Sequence, residues 1–430
     1  MSGLLAAYGA AARVAAPVLR IGLRARARRG KEIAARLGER RGIAGLPRPP
    51  GVLIWLHAAS VGETVSILPV LVALARQAPL AHTLVTTGTV TAATLLARRI
   101  TELGLQLHVR HQFLPLDVPK WVARFLEHWR PGVAGLVESE LWPNLLAGCR
   151  ARAVPVLLIN ARLSERSFAR WQRFPGVAGK MLEAVHGVRA QSAPDAARFA
   201  ALGARDTRAP GNLKYAAPAL PVDAAELARW RDALAGRTLW LAASVHPDEV
   251  AVIGAAHAAL AALHPGLLTI IVPRHPERGV EFVARLPGLA VRRRAAGEAP
   301  PEGAGVWIAD TLGELGLFYR LAPVVVMGRS LAAPGGGQNP LEAARLGCAV
   351  AAGPLMENFA EVAATLEAAG GLARVADAAG LAAWVDGMLR DSARVAAMGA
   401  AGRAACDRLD TLPGEIAAEL LALAAPEGHA

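Results

Sequence analysis

A chain of 430 residues is long enough for about two or three domains, each burying its own core. The sequence is 53% hydrophobic and 5% aromatic, which is typical of a globular protein and excludes a disordered one. The three cysteines are too few and too scattered for a disulfide framework or a zinc site, so they indicate a reducing compartment such as the cytoplasm.

The formal net charge is +12, of which +9 lies in residues 1–50 and only +3 in the rest of the chain. Because residues 51–430 are nearly neutral, they are not expected to form an extended surface that binds nucleic acid phosphates. We therefore expect no nucleic acid partner.

Residues 1–50 are predicted to begin with an amphipathic helix and to continue as a basic arm. On a helical projection Arg13, Arg20, Arg24 and Lys31 form one stripe. Apolar side chains spread over the opposite side, namely Leu4, Leu5, Tyr8, Val14, Val18, Leu19, Ile21 and Leu23. This pattern favours a helix lying in a membrane interface, with the body of the protein on the cytoplasmic side.

The sequence also bears on three alternatives to an interfacial helix. A secretory signal peptide is disfavoured because the charges follow the apolar segment instead of preceding it. A spanning helix is disfavoured because the uncharged run ends at Arg13, short of the roughly 20 residues that a span needs. A surface helix packed on the fold and kinked at Pro17 stays open.

From Gly51 onward the sequence predicts strands that alternate with helices, which favours parallel sheets with helical crossovers. The strand-like runs of the first series are "GVLIWLHA", "HTLVTTG", "GVAGLVES", "AVPVLLIN" and "GVRAQS". Those of the second series are "TLWLAAS", "GLLTIIV", "GVWIAD", "PVVVMG" and "CAVAAG". Between the series, Gly211–Glu226 is rich in Pro and Gly and is predicted to be a linker.

The predicted fold is α/β, with two doubly wound, Rossmann-like domains and a ligand cleft expected at the carboxyl ends of their strands. The expected division is a membrane-attachment helix and basic arm over 1–50, one domain over 51–215, a second over 216–385, and C-terminal helices over 386–430. The last of these are Ala-rich and are expected to pack across the domain pair.

Polar residues gather directly after the predicted strands, where an active cleft would need them. For any one of them the favoured interpretation is a helix cap, so their shared edge is the stronger signal. In the first series they are Glu63, Glu138, Glu140, Asn160 and Arg162; in the second they are Ser244, His246, Arg274, His275, the segment 310–314 and the segment 330–342.

A glycine-rich segment, "GRSLAAPGGGQNPLEAARLG", has a composition that suits binding of a phosphate-containing ligand. Gly335, Gly336 and Gly337 would let the backbone approach a ligand, and a helix opening near Asn339 would direct N–H groups at a phosphate. Glu342 could accept hydrogen bonds from a ribose diol. The segment matches neither the dinucleotide fingerprint nor the Lys-containing phosphate loop, so alone it is weak evidence.

Metal chemistry has little support in the sequence. "HVRH" and "HPDE" have the wrong spacing for ligands on one helix face, and no Asp-x-Asp pair is present. We expect neither a metal nor another cofactor, so Arg, Lys and helix termini would stabilise a phosphate leaving group.

Eight motifs occur in order between the N-terminal helix and about residue 370. They are "HAASVGE", "ESELWPNLL", "NARLSERS", "GNLKY", "IVPRHPER", "DTLGELGLFY", "GGGQNPLEAA" and "GPLMENF". In these the chain resembles the Kdo transferases of lipopolysaccharide biosynthesis, which move 3-deoxy-D-manno-octulosonic acid (Kdo) from CMP-Kdo to a lipid A precursor. The resemblance implies a membrane-attached, metal-independent glycosyltransferase of the GT-B type, with an acceptor-binding first half and a CMP-binding second half.

The resemblance also implies roles for single residues. Glu63 matches the family's catalytic base, while Arg274, Asn339 and Glu342 match CMP-binding positions, and Ser244 and His246 match a further motif of the site. Three positions depart from the family pattern: Arg329 stands for a usual Gly, Gln338 for a common His, and Leu312 for a Met.

The resulting hypothesis is an inverting transfer in which Glu63 removes the proton of an acceptor hydroxyl while CMP departs. Arg162 or Lys214 is expected, from charge alone, to pair with the Kdo carboxylate. His275, Gly336, Gly337 and Glu138 complete the expected substrate site. Two alternatives stay open: another GT-B enzyme, such as a lipid A disaccharide synthase or a nucleotide-sugar epimerase, and a non-catalytic nucleotide-sugar binding protein.

Overall fold

The structure, a computed structural model, describes residues 3–138, 141–216 and 219–425. Glu140, one of the strand-end carboxylates, lies outside the described residues. The chain divides into two compact units, the first comprising residues 1–217 and 409–430 and the second residues 218–408. Helix α16 (Ser392–Ala424) contributes residues to both units.

The first unit is a parallel sheet with helices on both faces. Its helices are α1 (Gly3–Arg28), α2 (Val61–Gln77), α3 (Val90–Glu102), α4 (Pro119–Trp129), α5 (Pro143–Arg150), α6 (Glu165–Gln172), α7 (Pro175–Leu182) and α8 (Ala193–Ala201). Its strands are β1 (Leu53–Ala58), β2 (His82–Thr87), β3 (Val109–Phe113), β4 (Val133–Val137), β5 (Val156–Ala161), β6 (Val185–Ala190) and β7 (Thr207–Arg208), in the sheet order β3-β2-β1-β4-β5-β6-β7.

Strand β1 shows why this sheet is buried on both faces. Leu53 and Trp55 belong to one hydrophobic cluster, and the alternate residues Ile54 and Leu56 belong to the cluster on the other face. All four are at most 1% exposed. Side chains of a strand point alternately to opposite faces, so a continuous apolar run such as "LIWL" fits a sheet covered on both sides.

The second unit is also a parallel sheet of seven strands. Its helices are α9 (Ala224–Ala233), α10 (Val250–Ala261), α11 (Gly279–Ala284), α12 (Leu315–Leu321), α13 (Leu341–Arg345), α14 (Ala360–Ala368) and α15 (Ala378–Arg390). Its strands are β8 (Leu239–Val245), β9 (Leu268–Pro273), β10 (Val291–Arg293), β11 (Gly305–Ile308), β12 (Val324–Met327), β13 (Ala349–Ala352) and β14 (Leu372–Arg374), in the order β10-β11-β9-β8-β12-β13-β14.

The predicted α/β class and the two Rossmann-like sheets are confirmed, and all ten predicted strands are present. Four further strands were not predicted: β3, β7, β10 and β14. Strands β7, β10 and β14 have only two or three residues, and β3 carries the polar sequence "VRHQF". All four lie at or next to a sheet edge, where a strand needs no continuous apolar run.

Helix α1 is unbroken across Pro17 and presents two different faces. One face packs on the first unit: Leu23 is 4% exposed, and the guanidinium of Arg20 lies 5.9 Å from the centre of the Trp121 ring. The opposite face is apolar and exposed, with Val14 at 80% and Val18 at 70%. The surface packing that the sequence left open is therefore present.

The sequence disfavours a spanning α1 because the uncharged run ends at Arg13, but it leaves open whether the helix spans a membrane or lies on it. Gly3–Arg28 has 26 residues, and an 18-residue window of it reaches a mean hydropathy of 1.4 with at most two charged residues. It is the one helix among the described residues that is long and apolar enough to cross. Length and composition therefore permit a span as well as an interfacial position, because the apolar segment continues past Arg13.

The arm after α1 is fixed to the sheet by buried arginine. The guanidinium of Arg40 donates to the carbonyls of Gly88 at 2.6 Å and Leu114 at 3.2 Å, and it pairs with Glu32 at 3.0 Å. Arg40 lies 4.6 Å from the centre of the Phe113 ring. Such contacts offset the cost of removing a guanidinium from water, so the arm folds as part of the first unit.

Candidate functional site

In the first unit the strand order reverses direction beside β1, whose neighbours are β2 on one side and β4 on the other. Ligands of open α/β sheets bind outside the carboxyl ends of the strands at such a switch point. Glu63 follows β1 and Glu138 follows β4, so both carboxylates lie at this edge.

Glu63 lies in the first turn of α2. Its N–H donates to Oγ of the N-cap residue Ser60 at 3.3 Å, and its Oε2 accepts a hydrogen bond from the N–H of Ala59 at 2.8 Å. The residue is only 6% exposed. Ser60 therefore caps the helix, while the Glu63 carboxylate is held by the loop N–H before the cap, in the first turn where the helix dipole favours negative charge.

Two predicted residues of this unit contact each other. Nζ of Lys214 lies 2.7 Å from Oε1 of Glu138, and both side chains are partly exposed. Next to Lys214, the N–H of Leu213 donates at 2.9 Å to Oδ1 of Asn160, a buried residue at φ +52°. Arg162 is exposed and makes no hydrogen bond or ion pair with the residues that the structure describes.

In the second unit the strand order reverses beside β8, which lies between β9 and β12. Ser244 interrupts the register of β8 with a φ of +56°. Gly328 follows β12, and a Cβ at that position would lie 2.4 Å from the carbonyl oxygen of Ser244. Only glycine permits this close approach, which brings the ends of β8 and β12 together.

His246 and His275 meet at the same edge. Their rings are 5.8 Å apart and nearly perpendicular, and the N–H of Arg274 donates to the carbonyl of Val245 at 2.9 Å. Burial is the main cause that lowers the pKa of His246; Glu249 opposes the shift, while the charges of Arg329, His275 and Arg274 add to it. His246 is therefore uncharged at neutral pH.

The three glycines all have positive φ, at +67°, +109° and +75° for Gly335, Gly336 and Gly337. A Cβ on Gly336 would lie 2.4 Å from Nδ2 of Asn358, and one on Gly337 would lie 2.4 Å from Sδ of Met356. The expected close approach is present, but it is an approach to the "GPLMENF" segment. These two motifs of the sequence thus form one packed unit.

Asn339 and Glu342 are also in contact. The Asn339 side chain donates a hydrogen bond to the Glu342 carboxylate. Burial raises the pKa of Glu342, while this hydrogen bond and the charges of Arg274 and Arg345 act in the opposite direction. Helix α13 begins at Leu341, close to the predicted opening, but it has only five residues, and Asn339 Oδ1 already accepts the N–H of Leu341 at 3.1 Å.

Sequence reasoning missed Glu249, a fully buried carboxylate of this edge. It accepts the backbone N–H groups of His246 at 3.1 Å, Arg329 at 2.5 Å, Ser330 at 2.8 Å and Leu331 at 2.9 Å. It therefore ties the segment after β8 to the segment after β12. The spacing from His246 is that of a capping box, a signal that could have identified the first of these contacts.

A family model described as 3-deoxy-D-manno-octulosonic-acid transferase matches residues 33–217. A 3-deoxy-D-manno-octulosonic acid transferase of Bordetella pertussis is 37% identical over 414 residues, which are 92% of this chain and 94% of that protein. The chain belongs to the Kdo transferase family. A probable mitochondrial Kdo transferase of Arabidopsis thaliana is 35% identical and covers 82% of this chain and 80% of its own.

Membership makes this Kdo transferase a glycosyltransferase of lipopolysaccharide biosynthesis, as the motifs predicted. Among solved structures, UDP-GlcNAc 2-epimerase from Neisseria meningitidis superposes with a TM-score of 0.54 at 12% identity, covering 86% of this chain and all of its own. At that identity the likeness concerns the fold alone, and it supports the GT-B class.

Proposed function

We propose that this Kdo transferase moves Kdo from CMP-Kdo to a lipid A precursor, lipid IVA, by a metal-independent displacement that inverts the anomeric centre. The observation that carries the proposal is the Glu63 carboxylate, held by the N–H of Ala59 at the carboxyl edge of the first sheet. A single displacement needs one base and a stabilised leaving group, and no covalent sugar intermediate.

Glu63 acts as the base in this scheme. A sugar hydroxyl is a weak nucleophile, so its proton passes to the carboxylate as the oxygen forms a bond to the anomeric carbon of Kdo. The bond from that carbon to the CMP oxygen breaks, and the electron pair leaves with CMP. The hydrogen bond from Ala59 at 2.8 Å supports the role because it fixes the carboxylate before substrate arrives.

The second unit binds the nucleotide. Arg274, which is exposed, stabilises the departing phosphate charge, while Asn339 and Glu342 bind the ribose. We assign the phosphate to side chains because α13 has only five residues and its first N–H is already bonded. The remaining predicted residues, Ser244, His246, His275, Gly336 and Gly337, shape this edge.

Arg162 is the better candidate for the Kdo carboxylate. Lys214 is already paired with Glu138 at 2.7 Å, so part of its charge is neutralised. Arg162 is exposed and has no such partner among the described residues, and a guanidinium binds a carboxylate through two parallel hydrogen bonds.

Metal independence is part of the proposal: no step in the scheme needs a metal ion, so the charge of the leaving phosphate falls to protein cations. Arginine, which is always charged, then supplies the positive charge that the leaving phosphate needs.

We further propose that α1 lies on the cytoplasmic surface of the inner membrane rather than crossing it. Its packed face carries Leu23, while Val14, Val18 and Ile21 are exposed on the other side. A helix that spans would have to release the packed face. An apolar face beside arginines suits an interface containing anionic lipid, which is where a lipid A precursor is found.

The test is a product assay with full-length protein in anionic vesicles, CMP-Kdo and lipid IVA, read by mass spectrometry. The proposal expects a mass gain of one or more Kdo residues, inhibition by CMP but not by UDP, and full activity in EDTA. A product formed from a UDP-sugar would instead favour a disaccharide synthase or an epimerase. Loss of activity in EDTA would contradict metal independence.

A further inference from the structure

Arg329 has a backbone conformation that side chains rarely adopt. Its φ is +57°, in the left-handed region, at a position where the family this chain resembles usually has glycine. A non-glycine residue in this conformation costs free energy, so the surrounding structure has to supply compensating contacts. The N–H of Arg329 supplies one, since it donates to Oε2 of Glu249 at 2.5 Å.

The turn at Arg329 has the form of an anion-binding nest. Successive N–H groups of Arg329, Ser330 and Leu331 converge on one carboxylate, that of Glu249. Such concavities commonly bind phosphate, but here a side chain of the protein occupies the site. These N–H groups are therefore not available to a substrate, and recognition of an anion at this edge falls to side chains.

The Arg329 side chain extends over the glycine-rich segment. Its Nε donates to the carbonyl of Gly335 at 2.7 Å, and its own carbonyl accepts the N–H of Gly337 at 2.7 Å. This leaves Nη1 and Nη2, which make no hydrogen bond or ion pair with any residue the structure describes. The side chain is only partly buried, so the two nitrogens can meet a ligand.

Arg329 shares this edge of the second sheet with a second arginine, Arg274. His246, an uncharged imidazole, experiences the positive charges of both Arg329 and Arg274. Gln338, another departure from the family pattern, places Nε2 at 3.3 Å from Nε2 of His246. Two guanidinium groups near one neutral ring form a suitable environment for a phosphate, which arginine binds through a planar pair of donors.

We propose that Arg329 is a donor-binding residue of this Kdo transferase, and that its Nη1 and Nη2 bind the phosphate of CMP-Kdo together with Arg274. The inference rests on the proposed CMP-Kdo donor and adds a phosphate contact that the family motifs do not supply. Glu249 is the positioning residue that holds the Arg329 backbone in place.

Calorimetric titration of the full-length protein with CMP and with cytidine tests the proposal, because only CMP carries the phosphate. For R329G the dissociation constant for CMP should rise by about 10- to 100-fold, while that for cytidine stays unchanged. Glycine accepts φ +57° without strain, so the backbone is preserved. R329K, which keeps a point charge, should recover part of the CMP affinity.

The matched control is R130G, since Arg130 is an exposed arginine at φ +43° in the first unit. It removes the same charge and the same backbone strain, and it should leave both affinities unchanged.

Equal weakening of CMP and cytidine binding by R329G would overturn the proposal, because it would make Arg329 only a support for the loop. Unchanged affinity for both would overturn it as well. A wild-type protein that binds neither CMP nor CMP-Kdo would be a different result, refuting the donor assignment itself.

Discussion

Lys214 and Glu138 form an ion pair, with Nζ 2.7 Å from Oε1, although 76 positions separate them in the chain. Glu138 follows a predicted strand and Lys214 lies in the predicted linker, and the sequence places both at the substrate site. Their pairing distinguishes the two residues of the first unit that are candidates for binding the Kdo carboxylate. Lys214 already has a carboxylate partner, whereas Arg162 has none among the described residues.

We predict that R162M raises KM for CMP-Kdo by about tenfold, through the lost pairing with the sugar carboxylate. K214M should change KM much less, because it removes a cation that Glu138 already neutralises, and a partly exposed pair contributes about 1 kcal/mol or less to stability. Initial rates at saturating acceptor give both values. A larger effect of K214M than of R162M would reverse the assignment.

Much of this architecture follows from local sequence, and much of the site does not. Apolar runs such as "LIWLHA" are long enough to predict strands, and the polar residues after them mark the edge of the sheet. The short edge strands β10 and β14 carry no such signal. The contact between Glu249 and Arg329 joins positions 80 residues apart, so it depends on strand order, which no local pattern reveals.

The glycine-rich segment offers a test of packing separate from backbone strain. Gly337 and Gly347 have nearly the same φ, +75° and +76°, but a Cβ on Gly337 would lie 2.4 Å from Met356 Sδ, whereas one on Gly347 would meet nothing within 4 Å. Each alanine substitution should cost about 1 kcal/mol from strain.

We predict that G337A loses a further 1–3 kcal/mol or so of unfolding free energy from overpacking, and loses CMP affinity as well. G347A should retain that affinity. Urea denaturation and calorimetric titration measure the two quantities. Equal stability of the two variants would show that the contact of Gly337 with Met356 is not restrictive.

His111 makes stability dependent on pH. Burial, followed by the charges of Arg36 and Arg40, lowers its pKa from 6.5 to about 3. The unfolded chain therefore binds a proton between these values while the folded chain does not, so stability falls as pH drops from about 6.5 toward 3.

We predict that the thermal midpoint of H111Q falls less steeply between pH 7 and pH 5 than that of the wild type, since glutamine cannot take up a proton. H128Q, at a histidine on α4, serves as the control for the loss of a histidine from the same unit. Parallel curves for H111Q and the wild type would exclude His111 as the source of the dependence.

The exposed face of α1 predicts membrane attachment. V14S combined with V18S should reduce sedimentation with anionic vesicles, because both side chains are at least 70% exposed on the unpacked face. L80S removes an apolar side chain that is 91% exposed elsewhere in the first unit, and it should sediment like the wild type. Undiminished binding of V14S/V18S would contradict an interfacial helix.

Glu63 and Asp195 allow the central claim to be tested against a matched control. Both lie three residues after a serine N-cap in the first unit, both are nearly buried, and each carboxylate accepts a loop N–H, from Ala59 in one case and Leu163 in the other, at 2.8 Å. Substitution by the corresponding amide removes the charge while keeping an acceptor oxygen. The two variants should therefore have similar effects on folding.

The most direct measurement is the rate of Kdo transfer to lipid IVA by E63Q and by D195N, with product quantified by mass spectrometry. E63Q should lose about 10²- to 10⁴-fold in turnover, the usual contribution of a general base, with its thermal midpoint close to that of D195N. D195N should keep near-native turnover. An E63Q protein that folds and transfers Kdo at the rate of D195N would show that Glu63 only stabilises its helix and that the base lies elsewhere.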